Sequence, residues 1–190
     1  TLHHRVLAAV FIEAVDQAVA GERPQINILA VNPEKKMLVK KDAALCAFFH
    51  KAELLIPDGI GIVFAVKLLY GDTIRRVTGV DLMHAICRRA AEKQYSIFLY
   101  GATESVNSRA AEKLKLSYPG IVIAGRSHGY QTEGVADSIR QSGADILFVA
   151  LGSPKQERWL MDNQFNLNVK VRQCIGGTLD TITGDVRVKR

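Results

Sequence analysis

Two rhythms of apolar and polar positions alternate along this chain. Long stretches repeat apolar residues every three or four positions, and short solid apolar runs lie between them. Leu2 to Val19 has helical spacing, and the run INILAV, residues 26–31, reads as a strand. Pro33 to Ala52 reads as one helix, with Met37, Leu38, Leu45, Phe48 and Phe49 as core contacts. A short strand is expected over Leu54 to Ile56, then helices over about Gly59 to Tyr70 and over Gly79 to Lys93. The pattern continues with SIFLY (96–100) as a strand, 104–117 as a helix, IVIA (121–124) as a strand and 134–141 as a helix. DILFVAL (145–151) is the clearest buried strand, followed by a helix over 154–164 and a last strand over 169–175.

Short apolar strands alternating with helices predict an α/β fold: a single Rossmann-like domain over residues 1–190, its mostly parallel sheet covered by helices on both faces. Ligands of such sheets bind beyond the carboxyl ends of the strands, so the loops leaving each strand are the places to look for chemistry. The chain opens inside a helix, so a first strand is expected to lie upstream.

Composition narrows this only a little. With 48% hydrophobic and 23% charged residues, the chain is ordinary for a soluble globular protein. The apolar run Ile60 to Val66 is far short of a membrane span, and no signal peptide is visible, so a cytoplasmic location is expected. Cys46, Cys87 and Cys174 are far apart and form no CxxC pair, which points to small core residues and away from a disulfide framework or zinc site. The net charge of +6 suits a polyanionic substrate, an anionic membrane face or nucleic acid. Nucleic acid lacks support, because no aromatic recognition set, zinc finger or long basic run is present.

Three strand-end loops share a design. INILAV runs into Asn32-Pro33-Glu34, where Asn caps a helix and Pro suits its first position. The short second strand runs into Pro57-Asp58-Gly59. DILFVAL runs into Gly152-Ser153-Pro154-Lys155-Gln156-Glu157, which reads locally as a cap at Ser153 with Gln156 closing a capping box. Each loop aims a helix N-terminus at the same sheet edge, an arrangement that favours anions. Each residue alone also has a plain structural reading as a cap or turn residue; their convergence on one edge is what favours a site. Asp58 is the most telling, since a turn accepts any small polar residue whereas a general base needs a carboxylate.

Further along, Arg75-Arg76 precedes a helix that Thr78 caps with Asp81, and a guanidinium there can grip phosphate. Gly59-x-Gly61-x-x-x-Ala65 is a weak dinucleotide signature, without the acidic residue expected after a following strand. No HExxH, DxD-like pair or GxSxG is present, so neither a bound metal nor a hydrolase nucleophile is indicated, and no cofactor is expected.

Taken together, Asn32-Pro33-Glu34, Pro57-Asp58-Gly59-Ile60-Gly61, Arg76-Val77-Thr78-Gly79-Val80-Asp81-Leu82, His128-Gly129-Tyr130, Gly152-Ser153-Pro154-Lys155-Gln156-Glu157, Gly176-Gly177-Thr178-Leu179-Asp180 and Val188-Lys189-Arg190 resemble, in order, the WecG/TagA/CpsF glycosyltransferases. The resemblance covers the chain from about Ile26. It implies a bacterial inverting transferase that moves a sugar from a UDP-sugar donor to a polyprenyl-diphosphate-linked sugar at the inner membrane face, for teichoic acid, common antigen or exopolysaccharide. It implies Asp58 as general base, with Asn32, Arg76 and Gln156 at the substrate site. Gly59 lets substrate approach the backbone, and Lys155 adds a cation. Family members continue past the VKR end with a basic amphipathic segment that docks on the membrane, so this chain is expected to be a core without that appendage. A homo-oligomer is compatible with this reading. The rival class is a non-catalytic nucleotide- or sugar-phosphate-binding module, which would need no carboxylate at position 58; a nicotinamide enzyme is a third.

Overall fold

In the computed structural model, which describes residues 2–58 and 78–185 (side chains from residue 9 onward), the strand-helix alternation closes around one sheet. Six strands, β1 (Ile26–Val31), β2 (Leu54–Pro57), β3 (Ser96–Gly101), β4 (Val122–Ser127), β5 (Ile146–Ala150) and β6 (Val171–Cys174), pair in parallel in the order β2-β1-β6-β5-β3-β4. The helices among the described residues are α1 (Leu2–Ala20), α2 (Pro33–Lys41), α3 (Ala43–Lys51), α4 (Gly79–Lys93), α5 (Glu104–Ser117), α6 (Val135–Ser142), α7 (Lys155–Asn163) and α8 (Thr178–Thr183). The expected helix over Gly59 to Tyr70, together with Gly59, Gly61, Arg75, Arg76 and the Val188–Arg190 end, falls outside the described residues.

Side chains alternate across the sheet with the period of two that a strand imposes. Ile28, Ala30, Ile97, Leu99, Ile146 and Phe148 face one side, where they pack with Phe11, Val15, Leu82, Ile86, Ala110 and Leu114 from α1, α4 and α5. Leu29, Phe98, Tyr100, Leu147 and Val149 face the other, against Leu45, Phe48, Phe49, Val135, Ile139 and Leu160 from α3, α6 and α7. Each large apolar side chain so buried contributes about 1.5–3 kcal/mol. Both faces are therefore covered, which is why β5 is buried at every position and reads as a continuous apolar run. Cys87 and Cys174 are buried in these layers, and burial pushes the Cys87 thiol up to about 12.

The expected single helix over 33–52 is two. The break falls at Asp42, whose extended backbone ends α2 and whose Oδ1 accepts from Leu45 N at 3.0 Å to cap α3. This reorients the first half: Leu45, Phe48 and Phe49 enter the core, but Met37 is 65% exposed and Leu38 is also exposed. The reading of Ser153 as a cap and Gln156 as the third residue of a capping box is also corrected. Helix α7 starts one residue later, at Lys155, with Pro154 at the cap and no side-chain capping bond, so Gln156 turns inward instead.

Two buried polar side chains tie the strand exits to their helices. Asn107 on α5 donates to Gly101 O at 2.9 Å and Ser127 O at 3.2 Å, joining the ends of β3 and β4. Gln173 on β6 donates to Gly79 O at 3.1 Å, fixing the start of α4 beside the sheet edge. That start carries the predicted cap: Thr78 Oγ1 accepts from Asp81 N at 3.0 Å and donates to Asp81 Oδ2 at 2.7 Å. Thr78→Ala is expected to lower the unfolding free energy by about 0.5–2 kcal/mol, read from the urea midpoint at constant slope. An unchanged midpoint would show that α4 does not depend on this cap.

Candidate active site

Strands β1 and β6 are neighbours, yet the helices that follow them leave to opposite faces. After β1 the chain passes to α3, whose Phe48 and Phe49 join one core layer; after β6 it passes to α8, whose Leu179 joins the other. A crevice opens where adjacent connections part in this way. Here it is a cleft of about 390 Å³, and among its walls are Asn32, Asp58, Gln156, Lys35, Thr78 and Gly176.

The register places the first two side by side. Val31 of β1 pairs with Pro57 of β2, and Asp58 N donates to Val31 O at 2.9 Å. Asn32 and Asp58 are therefore the first residues past the sheet on adjacent strands, both partly buried. Asn32 Oδ1 is taken up in capping α2, accepting from Lys35 N at 2.8 Å. Gln156 enters from the first turn of α7 and is 1% exposed. Its Oε1 accepts from Gly176 N at 2.9 Å, which ties the β5 exit to the loop leaving β6.

Asn32, Asp58 and Gln156, singled out from the sequence, thus meet in one cleft. Lys155 does not join them: it lines a second, smaller cleft of about 260 Å³ at the exits of β3 and β5, with Tyr130 and Asp180. The two clefts are adjacent, since α8 contributes Thr178 and Thr181 to one and Asp180 to the other. Gly59 and Arg76 lie outside the described residues.

Sequence reasoning missed two charged residues here. Lys35 Nζ lies 2.7 Å from Glu157 Oε1, and both side chains are buried, Glu157 completely. A signal for Lys35 was present: it occupies the third position of α2, where a cation opposes the helix dipole and needs another reason to be there. Glu157 had none, because its position in α7 reads as a helpful first-turn acid until its burial is known. Among the described residues no three His, Cys, Asp or Glu side chains are grouped to hold a metal ion.

Comparison with known proteins decides the family. The model of the glycosyl transferase WecG/TagA/CpsF family matches residues 3–189. The chain belongs to that family. It is therefore a glycosyltransferase. The chain is 32% identical over 179 residues to the N-acetylglucosaminyldiphosphoundecaprenol N-acetyl-beta-D-mannosaminyltransferase of Bacillus spizizenii, a match that spans 93% of this chain and 70% of that relative. It is 31% identical, over the same shares, to the protein of the same name from Bacillus subtilis. No helix among the described residues is long and apolar enough to cross a membrane.

Proposed function

We propose that this glycosyltransferase moves N-acetylmannosamine, or a closely related sugar, from a UDP-sugar to a polyprenyl-diphosphate-linked N-acetylglucosamine, inverting the anomeric centre. The observation that carries the reading is the meeting of Asp58, Asn32 and Gln156 in one cleft at the strand exits of a chain whose relatives are named for N-acetylmannosaminyl transfer to N-acetylglucosaminyldiphosphoundecaprenol.

In this mechanism Asp58 accepts the proton of the acceptor hydroxyl as its oxygen attacks the anomeric carbon from the face opposite UDP. The bond between that carbon and the diphosphate oxygen breaks, and UDP leaves with the electron pair. Charge gathers on the departing diphosphate and has to be met by fixed cations and N–H groups. Lys35 in the cleft wall and Lys155 in the adjoining cleft are side chains we assign to it, together with Arg76, which lies outside the described residues. Gln156 and the Asn32 amide orient the sugars by neutral hydrogen bonds. An acceptor with a polyprenyl tail requires work at a bilayer surface, so we place the protein peripherally on the inner face of the cell membrane.

The test is UDP release from a panel of UDP-N-acetylmannosamine, its uronic acid and UDP-glucose, each with lipid-linked N-acetylglucosamine. The expected result is turnover with both substrates present and fastest release from the mannosamine donor. UDP binding with no turnover when both substrates are supplied would leave only a binding module. We further expect turnover to persist in excess EDTA, because cationic side chains take the place of a metal at the diphosphate. Activity lost in EDTA and restored by Mg²⁺ or Mn²⁺ would overturn that part.

A further inference from the structure

Glu157 is 0% exposed, and its partners Lys35 and Gln156 both line the cleft. Its Oε1 receives two partners, Lys35 Nζ at 2.7 Å and Gln156 Nε2 at 3.0 Å. Its Oε2 is buried without a hydrogen-bond partner. Gln156 in turn accepts from Gly176 N at 2.9 Å. Three strand exits meet in this chain of contacts: Lys35 follows β1, Gln156 and Glu157 follow β5, and Gly176 follows β6.

The contacts also settle which way the Gln156 carboxamide points. An ionised carboxylate only accepts, so the NH₂ end faces Glu157; a backbone N–H only donates, so the oxygen end faces Gly176. A flipped amide would set oxygen against oxygen at one end and N–H against N–H at the other. Glu157 likewise fixes the position of the Lys35 ammonium, on a stem that would otherwise be free to rotate.

Stability is a poor explanation for this arrangement. A buried ion pair is commonly no better than an apolar pair of similar volume, and an unpartnered carboxylate oxygen adds a desolvation cost. We propose that Glu157 is a positioning residue of the transfer reaction: it holds Lys35 and Gln156 in the cleft wall so that the substrates meet an ammonium and a carboxamide already oriented. This rests on the transferase reading above. Glu157 itself acts through these two side chains and touches no substrate.

The test uses Gln156→Ala, the apolar pair Lys35→Met/Glu157→Leu, and the triple variant. Exchanging both charges together avoids leaving one buried and unpaired, so the apolar pair is expected to melt close to the wild type. One readout needs no substrate: the Gly176 amide should exchange with solvent about fivefold to tenfold faster in the apolar pair, because its acceptor is no longer held. The second is coupling in kcat/KM. In the wild type Gln156→Ala is expected to cost about 10²-fold, as loss of a positioned group does. In the apolar pair, where Gln156 has already lost its mooring, the same substitution should cost less than about threefold. Unchanged exchange at Gly176, or an undiminished cost of Gln156→Ala in the apolar pair, would overturn the proposal. Should that pair fail to fold, Lys35→Met/Glu157→Met, which also removes both charges and the acceptor and keeps the unbranched shape of Glu157, takes its place in both comparisons. A wild type that shows no turnover counts against the transferase reading, and the exchange arm still decides whether Glu157 moors Gln156.

Discussion

Asp58→Asn is expected to lower kcat by about 10²–10⁴-fold, the usual loss when a general base is removed, with the melting temperature nearly unchanged. Asn has the same shape and keeps hydrogen-bonding capacity, but it cannot take a proton. Asp58 N donates to Val31 O at 2.9 Å, a backbone bond that survives the exchange. The side chain borders the cleft at the exit of β2, level with Asn32 on the neighbouring strand. Single-turnover UDP release with the lipid-linked acceptor, beside a thermal melt, separates chemistry from folding. A folded Asp58→Asn protein that turns over at near the wild-type rate would remove Asp58 from the mechanism and return it to the role of a turn residue.

The largest expected effect on folding comes from a residue with no reactive group. Gly101 ends β3 opposite Ala150 of β5, with φ of +125°. A Cβ added there would lie 2.3 Å from Ala150 O and 2.4 Å from Ala150 C, both backbone atoms that cannot move aside. The neighbouring contacts tighten the constraint, because Ala102 N donates to the same Ala150 O at 2.9 Å. Gly101→Ala therefore combines backbone strain, about 1–3 kcal/mol, with overpacking, about 1–3 kcal/mol. The sum of roughly 2–6 kcal/mol is a large part of the total stability of a domain. Urea unfolding measures it. A midpoint within error of the wild type would mean that β3 and β5 separate at their ends without cost. Since Lys155 and Tyr130 line the cleft beside these same strand ends, a partly folded variant should also lose the smaller cleft first.

Much of the scaffold is legible from local pattern alone. The strands at 26–31, 96–101 and 146–150 are short apolar runs between turn residues, and the helices at 79–93 and 104–117 start at visible Thr caps. Such signals are local, so they survive without knowledge of what packs where. The misreadings arose where a local signal was outweighed. Met37 and Leu38 have core-like chemistry and spacing, but the Asp42 cap breaks the helix and leaves them outside. Gln156 fits a capping box by spacing, but it faces Gly176 and Glu157 because the helix starts one residue later. Helix α8, only six residues long, carries too short a period to be read in advance.

By itself the sequence determined the alternation of strand and helix, hence a parallel sheet covered on both faces, and it determined which residues stand at strand exits. Asn32, Asp58, Gln156 and Lys155 were all placed there, because a residue's position just after an apolar run is a one-dimensional fact. The order of the strands is not such a fact. It depends on how distant segments pack, and only the tertiary structure set β6 between β1 and β5. That insertion puts the β6 exit between the other two, opens the crevice where α3 and α8 part, and gathers Asn32, Asp58 and Gln156 into one cleft while sending Lys155 to the next. It also buries Glu157 against Lys35, a pairing across 122 positions of chain that no periodicity or motif encodes, because it exists only once two helix starts have been brought together at the same sheet edge.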